Sequence, residues 1–103
     1  MASIFAITTS RVRDGKFDEI VALYGRLKRL VERHGGKARV IQQTYGATPT
    51  TLSFVAETEG WAGFAALTEK LEADGEYQAV LAEARANPRS DIIQRSVGVE
   101  IAV

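Results

Sequence analysis

The chain has 103 residues, 46% of them hydrophobic and 25% charged, and thirteen basic residues balance thirteen acidic ones. This is the composition of an ordinary one-core globular domain, which excludes a disordered, collagenous or coiled-coil chain; the neutral total argues against a strongly basic nucleic-acid binder. With no cysteine and one histidine, His34, disulfides, a thiolate nucleophile, cysteine-based metal centres and a two-histidine metal site within one chain are excluded, and neither metal nor cofactor is expected.

Met1 to Ile7 lacks a basic region followed by a long apolar one, so it does not read as a signal peptide. No apolar run approaches the roughly 20 residues needed to span a bilayer. A cysteine-free chain suits a reducing compartment, and the expected location is cytoplasmic.

The predicted elements follow in chain order. Ser3 to Arg11 reads as a strand, with Phe5 and Ile7 on one side and Ile4 and Ala6 on the other. Arg13-Asp14-Gly15 is a turn. From Lys16 to His34, Phe17, Ile20, Val21, Tyr24, Leu27 and Val31 recur at helical spacing, with Leu23 and Leu30 widening the stripe. Asp18 and Glu19 near its start and Lys28, Arg29 and Arg33 near its end suit the helix macrodipole. Gly35-Gly36 ends it.

Ala38 to Tyr45 and Thr51 to Thr58 form a hairpin across Gly46 to Thr50. From Gly60 a helical stripe of Trp61, Phe64, Leu67 (or Thr68) and Leu71 runs to an interruption at Asp74-Gly75. A shorter helical piece, Glu76 to Ala86, then carries Tyr77, Val80, Leu81 and Ala84 until Asn87-Pro88 stops it. Ile92 to Ala102 is the last strand.

Strand–helix–strand given twice predicts an α+β, ferredoxin-like split βαβ fold: a four-stranded antiparallel sheet with helices on one face. In the last strand Ile93, Val97, Val99 and Ile101 alternate with Ile92 and Ala102, so the face away from the helices should be too apolar to meet water. A second copy of the chain, packed face to face, is the expected cover, closing two sheets into one barrel.

With that arrangement the chain resembles the dimeric α+β barrel superfamily, and within it NIPSNAP-type domains and the antibiotic biosynthesis monooxygenase family. Gly15-Lys16 with Phe17 and Leu23, then Trp61 and Phe64, carry the resemblance. So does Leu71-Glu72-Ala73-Asp74-Gly75-Glu76-Tyr77, which is similar to the Leu-x-x-Asp-x-Glu-aromatic stretch of NIPSNAP-like helices. NIPSNAP domains tend to carry a His in the strand that here reads Leu52 to Glu57. The monooxygenases often have one where Glu69-Lys70-Leu71 stands. The resemblance therefore implies the fold and the homodimer more directly than a reaction.

Few residues offer chemistry. His34 is the natural general acid or base, or else a C-terminal helix cap. A glutamine of the second strand, Gln42 or Gln43, should point inward and need partners. Arg95 in the last strand, if buried, could hold an anionic or enolate-like ligand; otherwise it pairs with Glu57 or Glu100 or reaches solvent from the strand end. Tyr24, Gln43, Tyr45, Trp61, Phe64 and Tyr77 are the candidate ligand contacts around a gap between helices and sheet. Asp14, Asp18 and Glu19 are better explained by the helix start than by a metal. Arg26, Arg29 and Arg33 read as a solvated helix face, so neither nucleic acid nor membrane is an expected partner.

The expected function is that of a homodimer binding a small apolar organic molecule in that gap. The alternatives are a cofactor-independent monooxygenase or cyclase-type enzyme of secondary metabolism, and a non-catalytic dimerisation module. The neutral charge is itself a cancellation: residues 1–46 carry net +5 and residues 47–103 net −5.

Overall fold

The computed structural model of the chain describes residues 2–43 and 50–103. Strand β1 (Ser3–Val12) passes through a turn at Gly15, which has φ +74°, into helix α1 (Phe17–Arg33). The hairpin strands β2 (Lys37–Gln42) and β3 (Thr51–Glu59) follow, then α2 (Gly60–Glu72), α3 (Gly75–Ala86) and β4 (Ser90–Val99). The sheet order is β2-β3-β1-β4 and all its pairings are antiparallel. This is the predicted split βαβ arrangement, with α2 and α3 as separate helices.

Local chemistry explains the boundaries. The α1 stripe buries Ile20, Leu23, Tyr24, Leu30 and Val31, while Phe17 and Val21 at its edge remain exposed. Burying each such side chain is worth roughly 1.5–3 kcal/mol. Past α1, Gly35 adopts φ +94° and Gly36 donates its N–H to the Val31 carbonyl at 3.0 Å, a glycine-terminated helix end. Asp74 starts α3 as its N-cap: its carboxylate accepts the Glu76 N–H at 2.9 Å. No connecting residue separates β3 from α2; Gly60 makes the corner at φ +67° and donates to the Ala2 carbonyl at 2.9 Å.

Cross-strand register assigns the faces. Ile4, Ala6, Thr8, Ser10 and Val12 of β1 pair with or lie beside Thr58, Ala56, Phe54 and Leu52 of β3, all on the helix side. The core there joins Ile20, Leu30, Leu52, Leu67, Leu71 and Val80. The open side carries Phe5, Ile7 and Val55 amid polar pairs. Thr9 and Ser53 share a 3.0 Å hydroxyl contact, and Glu57 accepts bonds from Ser3 and Arg39.

The last strand departs from the plain alternation. Thr9 pairs with Gln94 but Ser10 with Ile92, so Ile93 is the extra residue of a β-bulge. Beyond it Arg95 pairs with Thr8, Val97 with Ala6 and Val99 with Ile4. These side chains therefore share the helix side with Ile92. The apolar surplus of β4 was expected on the open face; the bulge turns Val97 and Val99 the other way. No helix covers them there, and every residue from Asp91 to Val103 is exposed. Among the described residues, no helix is long and apolar enough to cross a membrane.

Candidate functional site

Between the helices and the helix side of the sheet lies a cleft of about 580 Å³. Its floor is Ala6, Thr8 and Ser10 of β1 with Phe54 and Ala56 of β3. Small side chains on the central strand leave the room, because Ala and Ser stand where a core strand would usually carry Val or Ile. Tyr24, Leu27 and Val31 of α1 form one wall, and Phe64, Leu67 and Leu71 of α2 another. Tyr77, Leu81 and Ala84 of α3 close it above. The exposed end is formed by Arg85, Pro88, Arg89, Ile92 and Arg95, where β4 has no helix over it.

The cleft is apolar with a few fixed polar groups. The Tyr24 hydroxyl meets the fully buried Ser10 hydroxyl at 2.7 Å, and the Tyr24 ring packs on Phe54 with centroids 5.4 Å apart. Tyr77 adds a phenol and Glu72 the only lining carboxylate among the described residues. No group of three or more metal-ligating side chains occurs among the described residues.

Of the residues singled out in the sequence, the structure brings Tyr24, Phe64, Tyr77 and Arg95 to this cleft. Arg95 lies there exposed and not buried, which is its solvent-reaching alternative, because β4 is an uncovered edge strand. Trp61 is on the far side of α2: it is 59% exposed and meets Phe64 edge-on at 6.0 Å. Gln43 is also exposed, its backbone N–H donating to the Thr51 carbonyl, and Gln42 is exposed on the edge strand β2. Gln42 pairs with Leu52 and so shares the helix side, but the sheet edge leaves it in water, and neither glutamine is the buried amide expected. Tyr45 lies outside the described residues.

His34 does not line the cleft. It is the C-cap residue of α1, and its Nε2–H donates to the Asp74 carboxylate at 2.7 Å. The same carboxylate caps α3. The His34 hydrogen bond holds the Asp74 carboxyl below the ordinary aspartate range; burial opposes this, and the Glu76 and Tyr77 N–H groups and Arg33 assist it. The imidazole thus ties the end of α1 to the start of α3.

Three cleft residues escaped the sequence reading: Ser10, Arg85 and Arg89. Ser10 looks like an ordinary strand residue until its register beside Tyr24 is known. Arg85 and Arg89 straddle the Asn87-Pro88 stop, so no helical spacing links them in the sequence.

No protein-family model matches the chain, and no curated protein matches it. Solved structures do. An uncharacterised NIPSNAP domain protein from Burkholderia xenovorans aligns with 97% of this chain and 94% of its own, at 17% identity and a TM-score of 0.68. The cofactor-independent oxygenase SnoaB from Streptomyces nogalater, in a variant form, aligns with 97% of this chain and 92% of its own, at 16% identity and a TM-score of 0.63. A dimeric ferredoxin-like protein of unknown function from Thermobifida fusca aligns with 98% of this chain and 92% of its own, at 17% identity and a TM-score of 0.60. The chain has the ferredoxin-like α+β fold of NIPSNAP-domain and monooxygenase-like proteins. At these identities the likeness concerns the fold alone.

Proposed function

We propose that the protein is a homodimer that binds a small, largely apolar organic molecule in the cleft between helices and sheet. The cleft itself carries this reading. Small-molecule sites usually enclose about 300–1,000 Å³ with apolar walls and a few placed polar groups, and a space of about 580 Å³ lined by Phe54, Phe64 and Leu81 with the Tyr24 and Tyr77 hydroxyls has that make-up. A sequence this short would ordinarily fill such a gap with side chains.

The homodimer rests on apolar surface of the open sheet face. Phe5 and Ile7 stand there beside Val55, and Ile41, paired with Ser53 on the same side, is about half exposed. A second copy on the open face would cover them, and the T. fusca neighbour is described as dimeric. An enzymatic role, such as cofactor-independent oxygenation of an aromatic or polyketide-like compound, would have to draw its acid–base groups from Tyr24, Tyr77 and Glu72, because His34 faces Asp74.

Titration with the neutral fluorophore N-phenyl-1-naphthylamine tests the reading. One probe should bind per chain, and an Ala84→Phe variant, which fills the roof, should lose it. A folded wild-type protein that takes up no probe overturns the proposal.

A further inference from the structure

The charged lining of the cleft runs against the charge of its half of the chain. Residues 47–103 hold nine acidic and four basic side chains, yet three of those four, Arg85, Arg89 and Arg95, line the cleft, against one carboxylate, Glu72. They converge from separate elements: the last turn of α3, the link to β4, and β4 beyond its bulge.

Their hydrogen-bonding capacity is largely unused. Arg89 is the most enclosed, with a side chain 12% exposed; it donates to the Asn87 carbonyl at 3.2 Å and makes longer ion pairs with Glu19 at 3.6 Å and Glu83 at 3.7 Å. Arg85 and Arg95 are exposed, and among the described residues neither side chain has a hydrogen bond or ion pair within the chain. Of the six arginines outside the cleft, four are taken up by carboxylates: Arg13 by Asp91, Arg26 by Glu83, Arg33 by Asp74 and Glu76, and Arg39 by Glu57, while Arg11 and Arg29 have no such side-chain partner among the described residues.

We propose that the molecule bound in the cleft is an amphiphilic anion, with its apolar body against Phe54, Phe64 and Leu81 and an oxyanion head at Arg95, flanked by Arg85 and Arg89. This rests on the cleft being a ligand site. A guanidinium presents paired donors that match a carboxylate or sulfonate. Beside an apolar wall the attraction is less damped than in open water. Glu72 precedes α3 and Arg85 lies in its last turn, roughly 15 Å further along the helix, so the cleft has an acidic end and a basic end. It favours a molecule charged at one end only.

Two fluorophores that differ by one sulfonate provide the test: 1-anilinonaphthalene-8-sulfonate and the neutral N-phenyl-1-naphthylamine. The wild-type protein should bind the sulfonate about tenfold tighter or more, as a charge-assisted contact implies. Arg95→Gln should lose that preference and keep its affinity for the neutral probe. Arg29→Gln, an exposed change outside the cleft, should alter neither. Added salt should weaken the sulfonate alone. If the neutral probe binds but the sulfonate is not preferred, or the preference survives Arg95→Gln and Arg85→Gln, the anion proposal is overturned while the cleft remains a ligand site. If neither probe binds, the ligand-site reading fails and takes this proposal with it.

Discussion

The Tyr24 and Ser10 hydroxyls, 2.7 Å apart, join α1 to the central strand at the floor of the cleft. Ser10 has no exposure of its own. Tyr24→Phe therefore strands a buried hydroxyl and should cost about 1–3 kcal/mol of stability in urea melts. Ser10→Ala in the Tyr24→Phe background should cost much less than in the wild type. The coupling in that double-mutant cycle should be about 1 kcal/mol; a value near zero would show that the two hydroxyls are independent.

Asp74 links acid pH to the packing of α3. Its folded-state carboxyl titrates below the unfolded value, chiefly because of His34. The stabilisation is complete above the ordinary aspartate range, near 4, and is lost as pH falls through the lowered folded value. Asp74→Asn should thus be less stable than wild type at pH 7, with the gap closing on acidification below pH ~4. A gap that persists unchanged at pH ~3 would remove the carboxylate from this role. His34→Ala should leave binding of the neutral probe unchanged, since the imidazole lies outside the cleft.

Two glycines should respond with opposite signs. A Cβ on Gly36 would lie 2.8 Å from Val31 Cγ1 and 3.1 Å from Leu67 Cδ2, both in the buried core. Gly36→Ala should cost about 1–3 kcal/mol through overpacking. Gly25, inside α1, has nothing within 4 Å of such a Cβ. There Gly→Ala should raise stability by about 0.5–1 kcal/mol. Thermal or urea unfolding of the two variants checks both signs.

The proposed dimer places Ile7 at its centre. Sedimentation equilibrium at micromolar concentration should give twice the chain mass of 11.2 kDa. Ile7→Lys, on the open face opposite the cleft, should shift the mass to that of one chain without abolishing the fold. A wild-type monomer at that concentration would rule the assembly out.

The helical part of the fold was legible because a 3.6-residue stripe survives small errors at its ends. Ile20, Leu23 and Val31 are buried as their spacing implies. The four-stranded antiparallel sheet followed from the repeated strand–helix–strand pattern, though not the order of its strands. The cleft was only partly legible. Tyr24, Phe64 and Tyr77 lie on inward stripes, so they could be named. Arg85 and Arg89 stand on either side of the helix stop, and nothing local reveals that β4 runs past them. Trp61 misled because the α2 stripe is weakly one-sided, and an aromatic beside it can pack on Phe64 from outside. The helix-end reading of His34 was available from its place after α1, but its partner Asp74, 40 residues away, was not.

The bulge at Ile93 decides what the last strand encodes. Were pairing to run on without it, Arg95 would fall beside Ile7 and Val97 beside Phe5, on the opposite side of the sheet. The guanidinium would leave the cleft and the valines would enlarge the open face. The same ten residues thus spell two different surfaces, and one surplus residue selects between them. Deleting Ile93 would straighten the strand yet keep Arg95 on the cleft side, whereas adding a residue between Ile93 and Arg95 would have to be absorbed by a wider bulge or would invert the strand. In such a strand, the count of residues up to each position decides which side chain reaches which face.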